Sequence, residues 1–517
     1  MRSHEGSQTP ALRAAAAVGG ALVIALSACS THRSPAGPSP ASSAPASPGS
    51  PTSSAGLPAG LKWGKCTGTY TGHYDCAALA VPLDHSKPAE KKINIAMIRA
   101  KASGTKQGSL LVNPGGPGAS AVADWDFLSG QVDSALHQHF DVVGFDPRGV
   151  GQSTAVHCAD SAGLDAFAAL DFSPDNAAAT AALQAGSKAL ADGCVARSGD
   201  LLPFVGTKDA AKDMDDIRAA LGDPKLSYLG FSYGTFLGAE YAQEFPTRVR
   251  ALVLDGALDP SIPPIEAVNL QSEGFQRQLD RFLGDCARRQ GCGWHIQGEP
   301  HVALRSLIAR IDAHPLPGPG GRALHAGQAF FGIGLTLYDQ SSWPTLADAL
   351  GAAEKGDGGP LLRLSDFYTD RQDDGTYRNA TEANLAINCR DYNWPATPQQ
   401  FLAADAAAMA VAPDFGVDNL NLTLGCTAFP PTDRGAPISP LTAPGAPPIL
   451  VVATTGDPAT PYSEGAALAK GLTSGVLLTN VGEQHTAYGY SACTRKVADA
   501  YLIDLKVPAA GTRCSNG

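Results

Sequence analysis

Short apolar runs alternate with helix-compatible segments along much of the chain. Leu110 to Val112, Phe140 to Phe145, Leu226 to Phe231 and Val249 to Asp255 each have the length and composition of a buried strand. Strands that alternate with helices in this way are typical of a mostly parallel sheet with helices on its faces. The pattern therefore predicts an α/β protein.

Three further segments allow a prediction of where elements begin or end. Lys92 to Ala100 alternates polar and apolar residues, which predicts an early edge strand. The segment TKDAAKDMDDIRAALG is predicted to form a helix with Thr207 as its N-cap and Gly222 at its C-terminal end. A helix over residues 493–505 is expected to close the fold.

The strand pattern stops between residues 261 and 445 and then returns. Helical segments in this interval are mixed with irregular Gly- and Pro-rich stretches, and no run resembles a central parallel strand. Strand-like runs resume in PPILVVATTGDPATP and GVLLTNVGEQHTAYG. We therefore predict a core made of residues 61–260 and 446–517, interrupted by a mainly helical cap of residues 261–445.

The N-terminal residues indicate export. Arg2 and Arg13 precede an apolar run that is short for a membrane span and ends in Leu-Ser-Ala-Cys29, so residues 1–29 are typical of a signal peptide. This ending resembles the lipobox of bacterial lipoproteins, whose cysteine carries the lipid; an ordinary secretory signal is the alternative. Residues 30–60 are almost all Ser, Pro, Ala and Gly and are predicted to be a disordered tether. We expect a lipoprotein on the extracellular face of the membrane, or a secreted protein.

The composition argues against a nucleic-acid partner and against a membrane-spanning segment. The net charge is −11 and no run is rich in Lys or Arg, whereas a nucleic-acid-binding protein needs basic clusters. After the N-terminal segment, no apolar stretch is long enough to span a bilayer. Nothing in the sequence requires a metal or an organic cofactor, and we expect a monomer.

Cysteine usage agrees with export. Of 11 cysteines, ten remain when Cys29 is set aside, and in an oxidising compartment these would form five disulfides. A zinc site would be the competing use, but neither Cys-x-x-Cys nor His-Glu-x-x-His spacing occurs. The sequence leaves the connectivity open, and we adopt nearest-neighbour pairing: Cys66–Cys76, Cys158–Cys194, Cys286–Cys292, Cys389–Cys426 and Cys493–Cys514.

The stretch GFSYG places Ser232 between Gly230 and Gly234, where a predicted strand meets a helix-compatible run. A sharp turn there would strain the serine backbone and leave room only for glycine two residues to either side. This is the nucleophile elbow, Gly-x-Ser-x-Gly, of the α/β-hydrolase fold, which presents the hydroxyl at a helix N-terminus. An ordinary surface turn is the alternative, because Gly and Ser are abundant.

A serine hydroxyl needs a base to take its proton and an acid to orient that base. In the α/β-hydrolase fold these residues follow in the order serine, Asp or Glu, histidine. Asp457 and His485 follow Ser232 in this order, and each lies in a loop after a predicted strand, at the edge where open α/β sheets carry their sites. Asp255 and Asp259 are rival acids, whereas the remaining histidines fit the order less well.

The glycine-rich loop NPGGPG, residues 113–118, follows a predicted buried strand. Its glycines would let the backbone approach a substrate closely, as an oxyanion hole requires. We predict that the hole uses the N–H groups of Tyr233 and Gly116, with Gly115 as the alternative to Gly116. A plain Gly-Pro turn is the other reading of the loop.

Several motifs together resemble a known family, the secreted tripeptidyl aminopeptidases of actinobacteria: NPGGPG, GFDPRGVGQS, LGFSYGTFLGAEYAQEFP, LVLDGALDP, AINCRDY and TTGDPATP. These are serine peptidases of the α/β-hydrolase fold, related to proline iminopeptidases, with a TAP-like C-terminal segment that carries the Asp and His. The resemblance runs from about residue 60 to the C-terminus. It implies hydrolysis of peptides from a free N-terminus by Ser232, Asp457 and His485. The related iminopeptidases have His-Gly-Gly-Pro-Gly, where this chain has Pro114.

An aminopeptidase of this kind must meet the free amine of its peptide with a negative charge. The acids nearest the shared motifs are Asp391, in NCRDY, and Glu240, and we predict that they bind the substrate. A solvated or structural carboxylate is the alternative for each. Thr460, three residues after Asp457, is predicted to hydrogen-bond near that acid.

Other functions stay open from the sequence. A carboxylesterase or lipase would use the same triad, because the fold does not choose the acyl group, although the many charges of residues 261–445 favour peptides. A non-catalytic cell-surface lipoprotein would be expected to have lost a triad member, and none is missing. An epoxide or haloalkane hydrolase needs an acid at the elbow, where this chain has Ser232.

Overall fold

The computed structural model of the chain describes residues 61–516, except residues 69, 431–434 and 436–437. The predicted signal peptide, Cys29 and the predicted tether of residues 30–60 therefore lie outside the described residues. No helix in the described part of the chain has both the length and the apolar character needed to cross a membrane.

The described residues form these strands in chain order: β1 (Gly64–Lys65), β2 (Asp75–Pro82), β3 (Lys92–Ala100), β4 (Gly108–Asn113), β5 (Phe140–Phe145), β6 (Leu226–Phe231), β7 (Val249–Asp255), β8 (Leu316–Pro317), β9 (Ala323–Leu324), β10 (Ile449–Thr454), β11 (Gly475–Val481) and β12 (Arg513–Ser515). All but β8 and β9 join one sheet in the order β1-β2-β3-β5-β4-β6-β7-β10-β11-β12. The pairs β1–β2, β2–β3 and β3–β5 are antiparallel and every other neighbouring pair is parallel.

Helices flank this sheet and fill the interval between β7 and β10. They are α1 (Trp125–Gln131), α2 (Ser134–His139), α3 (Ser161–Ala168), α4 (Ala177–Ser198), α5 (Thr207–Leu221), α6 (Tyr233–Glu244), α7 (Pro264–Arg288), α8 (Pro300–Ala313), α9 (Ala326–Thr336), α10 (Trp343–Glu354), α11 (Gly359–Tyr368), α12 (Ala380–Asp391), α13 (Pro398–Leu402), α14 (Asp405–Val411), α15 (Gly416–Asn421), α16 (Tyr462–Gly471) and α17 (Ala492–Asp504).

The central strands are apolar on both faces because both faces are covered. All residues of β5, β6 and β10 are buried. Along β4, Leu110 packs in one core with Trp125 of α1, whereas Leu111 packs in the other core with Met214 of α5. Such double coverage turns alternation into continuous apolar runs. The predicted α/β-hydrolase fold is confirmed.

Two local predictions are corrected. Lys92–Ala100 is not an edge strand, because β3 pairs with β2 along its length and with β5 on its other side. Alternation reports one wetter face of a strand and carries no information about its paired edges. The N-cap of α5 is Gly206 and not Thr207, whose hydroxyl contacts Asp391 and the phenol of Tyr233 instead.

The residues between β7 and β10 pack in two ways. Phe275, Phe282, Leu346 and Phe415 belong to an apolar core that is separate from the cores of the sheet. Helix α12 differs, because its apolar side chains, including Ile387, are buried in the same core as residues of β4, β6 and β7. One segment of this region is therefore built into the body of the hydrolase.

Five disulfides cross-link the described chain. They join the pairs that nearest-neighbour pairing predicts: Cys66–Cys76, Cys158–Cys194, Cys286–Cys292, Cys389–Cys426 and Cys493–Cys514. The fourth ties α12 to residues 424–428, and the fifth ties α17 to β12.

Candidate active site

Ser232 lies in a tight turn between β6 and α6. Its φ of 54° and ψ of −125° are strained for a residue with a side chain. A Cβ added to Gly230 would lie 2.5 Å from the Gly234 carbonyl oxygen, and one added to Gly234 would lie 2.9 Å from Asn113 Oδ1. The turn therefore admits only glycine at both flanking positions. Phe231 and Tyr233 are buried, whereas Ser232 is partly exposed.

Asp457 and His485 form a buried pair in the loops after β10 and β11. His485 Nδ1 lies 2.9 Å from Asp457 Oδ1 and 3.0 Å from Oδ2. A carboxylate is an acceptor, so Nδ1 carries the hydrogen and Nε2 is left as the acceptor of the ring. Asp457 also accepts hydrogen bonds from the N–H groups of Ala459, Thr460 and Thr486. These bonds fix the carboxylate, and the expected contact of Thr460 beside the acid is present.

The end of β7 connects the serine turn to the histidine loop. The N–H of Ser232 donates to the carbonyl oxygen of Asp255 at 2.9 Å. The Asp255 carboxylate accepts from the N–H groups of Ala487 at 3.0 Å and Tyr488 at 2.7 Å, two and three residues after His485. Burial raises the pKa of Asp255 to about 6. The rival acid therefore holds the histidine loop, while Asp457 contacts the ring.

The NPGGPG loop lies directly against the serine turn. A Cβ on Gly115 would be 2.9 Å from Ser232 Cβ and 3.2 Å from the backbone N of Tyr233. The Gly115 N–H donates to Asn113 Oδ1 at 3.0 Å, so it is already used within the loop. Gly116 is exposed, and its N–H has no acceptor among the described residues. The N–H of Tyr233, the first residue of α6, has no partner within its helix.

Comparison with known proteins adds to this geometry. The family model described as alpha/beta hydrolase fold matches residues 108–294, and the model described as TAP-like protein matches residues 412–514. Serine protease Hip1 of Mycobacterium tuberculosis (strain ATCC 25618 / H37Rv) is 39% identical over 462 residues, covering 85% of this chain and 87% of Hip1. The chain belongs to the TAP-like α/β-hydrolase family. Ser232 falls in the first matched region, and Asp457 and His485 fall in the second.

Two other relatives of this TAP-like hydrolase have different names. Carboxylesterase B of the same Mycobacterium tuberculosis strain is 36% identical over 451 residues, covering 85% of this chain and 86% of the relative. Tripeptidyl aminopeptidase of Streptomyces lividans is 29% identical over 468 residues, covering 88% of this chain and 87% of the relative. All of these names denote hydrolases, and this chain is a serine hydrolase.

Of the two acids predicted to bind the substrate, Glu240 is buried and Asp391 is half-buried. Asp391 Oδ1 accepts the Thr207 N–H at 2.7 Å, and its Oδ2 accepts the Thr207 hydroxyl at 2.5 Å. Burial raises the pKa of Asp391 to about 7. Glu240 is 8% exposed in α6, and burial, followed by the charge of Glu244, raises its pKa. These contacts favour a structural role for Asp391 over an amine-binding one.

One group of side chains in the described part of the TAP-like hydrolase has the spacing of a metal site. The ligand atoms of His85, Asp213 and Asp216 lie within 4.8 Å of one another. The buried guanidinium of Arg148 contacts both oxygens of Asp213 at 2.7 Å, and its Nη2 lies 3.0 Å from His85 Nε2. A cation would compete with this arginine, so the donor set does not fit a metal.

Residues far from the motifs complete the surroundings of the histidine. The carbonyl oxygen of Tyr338, which lies between α9 and α10, accepts the backbone N–H of His485 at 3.0 Å. The Tyr338 and His485 rings also meet edge to face, with their centroids 5.6 Å apart. No spacing along the chain signals this contact, because it joins the inserted helices to a loop near the C-terminus. Asp255 could have been found as a buried acid at a strand end, but the sequence presents it only as a rival to Asp457.

Proposed function

We propose that this serine peptidase is exported and releases peptides from a free N-terminus through a triad of Ser232, His485 and Asp457. The observation that carries the proposal is the buried Asp457–His485 pair, tied through Asp255 to the strained turn that presents Ser232. The names of relatives supply the substrate class, since they include a serine protease and a tripeptidyl aminopeptidase.

In the first step, Ser232 Oγ attacks the carbonyl carbon of the scissile peptide bond and His485 Nε2 takes the hydroxyl proton. Asp457 holds the ring in the tautomer that leaves Nε2 free and stabilises the imidazolium that forms. The N–H groups of Gly116 and Tyr233 donate to the oxyanion. The imidazolium then protonates the departing amine, and an acyl-enzyme remains.

In the second step, water replaces the amine. His485 takes a proton from the water as its oxygen attacks the acyl carbon, and the same two N–H groups stabilise the second oxyanion. The imidazolium returns its proton to Ser232 Oγ, which leaves as the released acid departs. The cycle needs no group beyond the side chains and backbone named.

The inserted helices fit the role of a cap over this site. We assign residues 61–260 and 446–517 to the core and residues 261–445 to the cap. The apolar core around Phe275 and Phe415 supports a separately packed unit, and the carbonyl of Tyr338 brings that unit to the histidine loop.

A comparison of matched substrates tests the proposed activity. A tripeptide anilide with a free amine, its N-acetylated twin and a short-chain nitrophenyl ester are given to the purified protein and to Ser232→Ala. We expect rapid cleavage of the free-amine peptide and slow cleavage of its twin. Removing the hydroxyl should cost roughly 10⁴-fold or more in kcat. Equal activity of Ser232→Ala would contradict the triad.

A carboxylesterase is the second candidate, and the relative named carboxylesterase B favours it. The triad and both steps would be unchanged, because only the leaving group differs. Cleavage of the ester together with inertness toward both peptides, in the same assay, would decide for this candidate.

Lipid attachment at Cys29 would hold the exported enzyme at the extracellular face of the cell membrane, with residues 30–60 as its tether. The support is the Leu-Ser-Ala-Cys29 ending of the N-terminal apolar run. Intact-mass analysis of the membrane fraction should show the acylated cysteine as first residue, and Cys29→Ser should lose that mass. An unmodified mature chain would leave a secreted enzyme.

A further inference from the structure

Helix α12 contacts the glycine-rich loop beside Ser232 directly, and it reaches the side chain of Tyr233 through Thr207. It belongs to the inserted region, but its apolar side chains are buried in the core of the sheet and not in the separate core around Phe275 and Phe415. Asn384 lies near its middle and Asp391 is its last residue, about two helical turns further on. Asn384 contacts the loop that contains Gly116, and Asp391 is connected through Thr207 to Tyr233, the other proposed donor of the oxyanion hole.

Asn384 holds the glycine-rich loop. Its Nδ2 donates to the Pro117 carbonyl oxygen at 3.0 Å, immediately after Gly116. Asn388 Nδ2 donates to Asn384 Oδ1 at 3.0 Å, which directs the amide so that its N–H₂ faces the loop. A Cβ on Gly118 would lie 2.6 Å from the Ala380 carbonyl oxygen, so the loop rests directly on the helix backbone.

Asp391 reaches the other segment through Thr207. The carboxylate accepts both the N–H and the hydroxyl of Thr207. Thr207 Oγ1 lies 2.6 Å from the phenol oxygen of Tyr233. Because the single hydroxyl proton of Thr207 goes to the carboxylate, the Tyr233 phenol donates to Thr207 Oγ1. The ring of Tyr233 is thus held at its far end, while its backbone N–H is beside Ser232.

We infer that Asn384 and Asp391 are positioning residues, which from one helix fix the two backbone segments whose N–H groups receive the oxyanion. The inference rests on the proposed function, since it assigns no chemistry to either side chain. It explains why both carboxylate oxygens of Asp391 are bonded to Thr207. Oxyanion stabilisation depends steeply on donor geometry, because one lost donor costs about 10²–10³ in kcat and a 1 Å misplacement about 10².

Four variants and one control test the inference. Thr207→Val keeps the shape of the side chain and removes the hydroxyl, Asn384→Asp keeps the size and removes the donor, and Asp391→Ala removes the carboxylate. Thr207→Ser restores the hydroxyl. The control is Glu382→Gln on the same helix, because the buried Glu382 carboxylate accepts the N–H groups of Cys158 and Ala159, away from both segments.

For each variant, kcat and KM are measured with the free-amine anilide, and kcat is expressed per active site as titrated with a fluorophosphonate. The inhibition constant of a peptide aldehyde, which forms a tetrahedral adduct with the serine, is measured as well. We expect kcat to fall about 10- to 100-fold for the first three variants, with KM changed less than about 3-fold. The inhibition constant of the aldehyde should rise by the same factor as kcat falls. Thr207→Ser should keep most of kcat, and Glu382→Gln should lower the melting temperature with kcat kept.

Three results would overturn the inference. One is unchanged kcat per titrated site in Thr207→Val and Asn384→Asp. These two variants keep the volume of the side chain, so they test the inference even if Asp391→Ala fails to fold. Another is a rise in KM alone, which would return Asp391 to substrate binding. The third is an equal loss of kcat in Glu382→Gln. Full activity of Ser232→Ala is a different outcome, because it contradicts the proposed function itself.

Discussion

Gly115 shows how closely the active-site backbone is packed at the level of single residues. Its φ is 99°, in the region that only glycine enters readily. A methyl group there would lie 2.5 Å from the Phe231 carbonyl oxygen and 2.9 Å from Ser232 Cβ. The loop could not keep its place beside the nucleophile with any larger residue.

We therefore expect Gly115→Ala to lower kcat by about 100-fold or more, since the loop must move by about 1 Å. Gly222→Ala is the matched control, because Gly222 also has a positive φ of 80° but has nothing within 4 Å of the added Cβ. It should cost about 1–2 kcal/mol of stability, because a Cβ is strained at this φ, and leave kcat per titrated site unchanged. Equal kcat values for the two variants would contradict the packing argument.

The sequence predicts residues of the site where local chemistry demands a pattern. The glycines around Ser232 are required by the turn, and the order of serine, acid and histidine limits the choice of partners. Contacts between residues that are distant in the chain produce no local sequence pattern. Tyr338 and Thr207 act through a carbonyl oxygen and a hydroxyl of ordinary loop and helix residues, so neither stands out.

At the level of elements, strand cores are predictable and boundaries less so. β6 and β10 are buried throughout because both of their faces are covered. β3 keeps a wetter face, and its alternating pattern wrongly predicts a position at the edge of the sheet. The start of α5 differs by one residue because the Thr207 hydroxyl bonds outside its own helix. Tertiary contacts decide these details, and they are not local.

The disulfide between α12 and residues 424–428 yields a prediction at this scale. Cys389–Cys426 closes a separation of 37 residues, whereas Cys286–Cys292 closes only 6. Loop entropy predicts that replacing the first pair by alanines costs about 4 kcal/mol of unfolding free energy, and the second about 2. Denaturant titrations of both double variants measure this. A larger loss for the short loop would contradict the entropic account.

For the molecule as a whole, buried acids dominate the dependence of stability on pH. Glu464, at the start of α16, is 5% exposed, and burial raises its pKa to about 8. Burial also raises the pKa of Asp418 to about 7. At neutral pH the folded chain therefore retains protons that the unfolded chain has released.

The sign of the effect follows from proton counting. Between about pH 5 and 8 the unfolded state binds fewer protons, so the free energy of unfolding falls as the pH rises. We expect Glu464→Gln to remove a share of this decline on the order of a few kcal/mol, because glutamine does not titrate. The variant should keep the local structure, since its amide oxygen can still accept the Asp259 N–H. Denaturant titrations at pH 5 and 8 measure both slopes. Identical slopes would contradict the assignment.

The most direct measurement of the central claim is to locate the covalent adduct on the enzyme. The purified protein is treated with a fluorophosphonate, digested and mapped by mass spectrometry, beside Ser232→Ala and His485→Ala. The account predicts a single adduct on Ser232, absent in the first variant and formed about 10³-fold more slowly in the second. An adduct on another residue, or unchanged labelling in either variant, would contradict it.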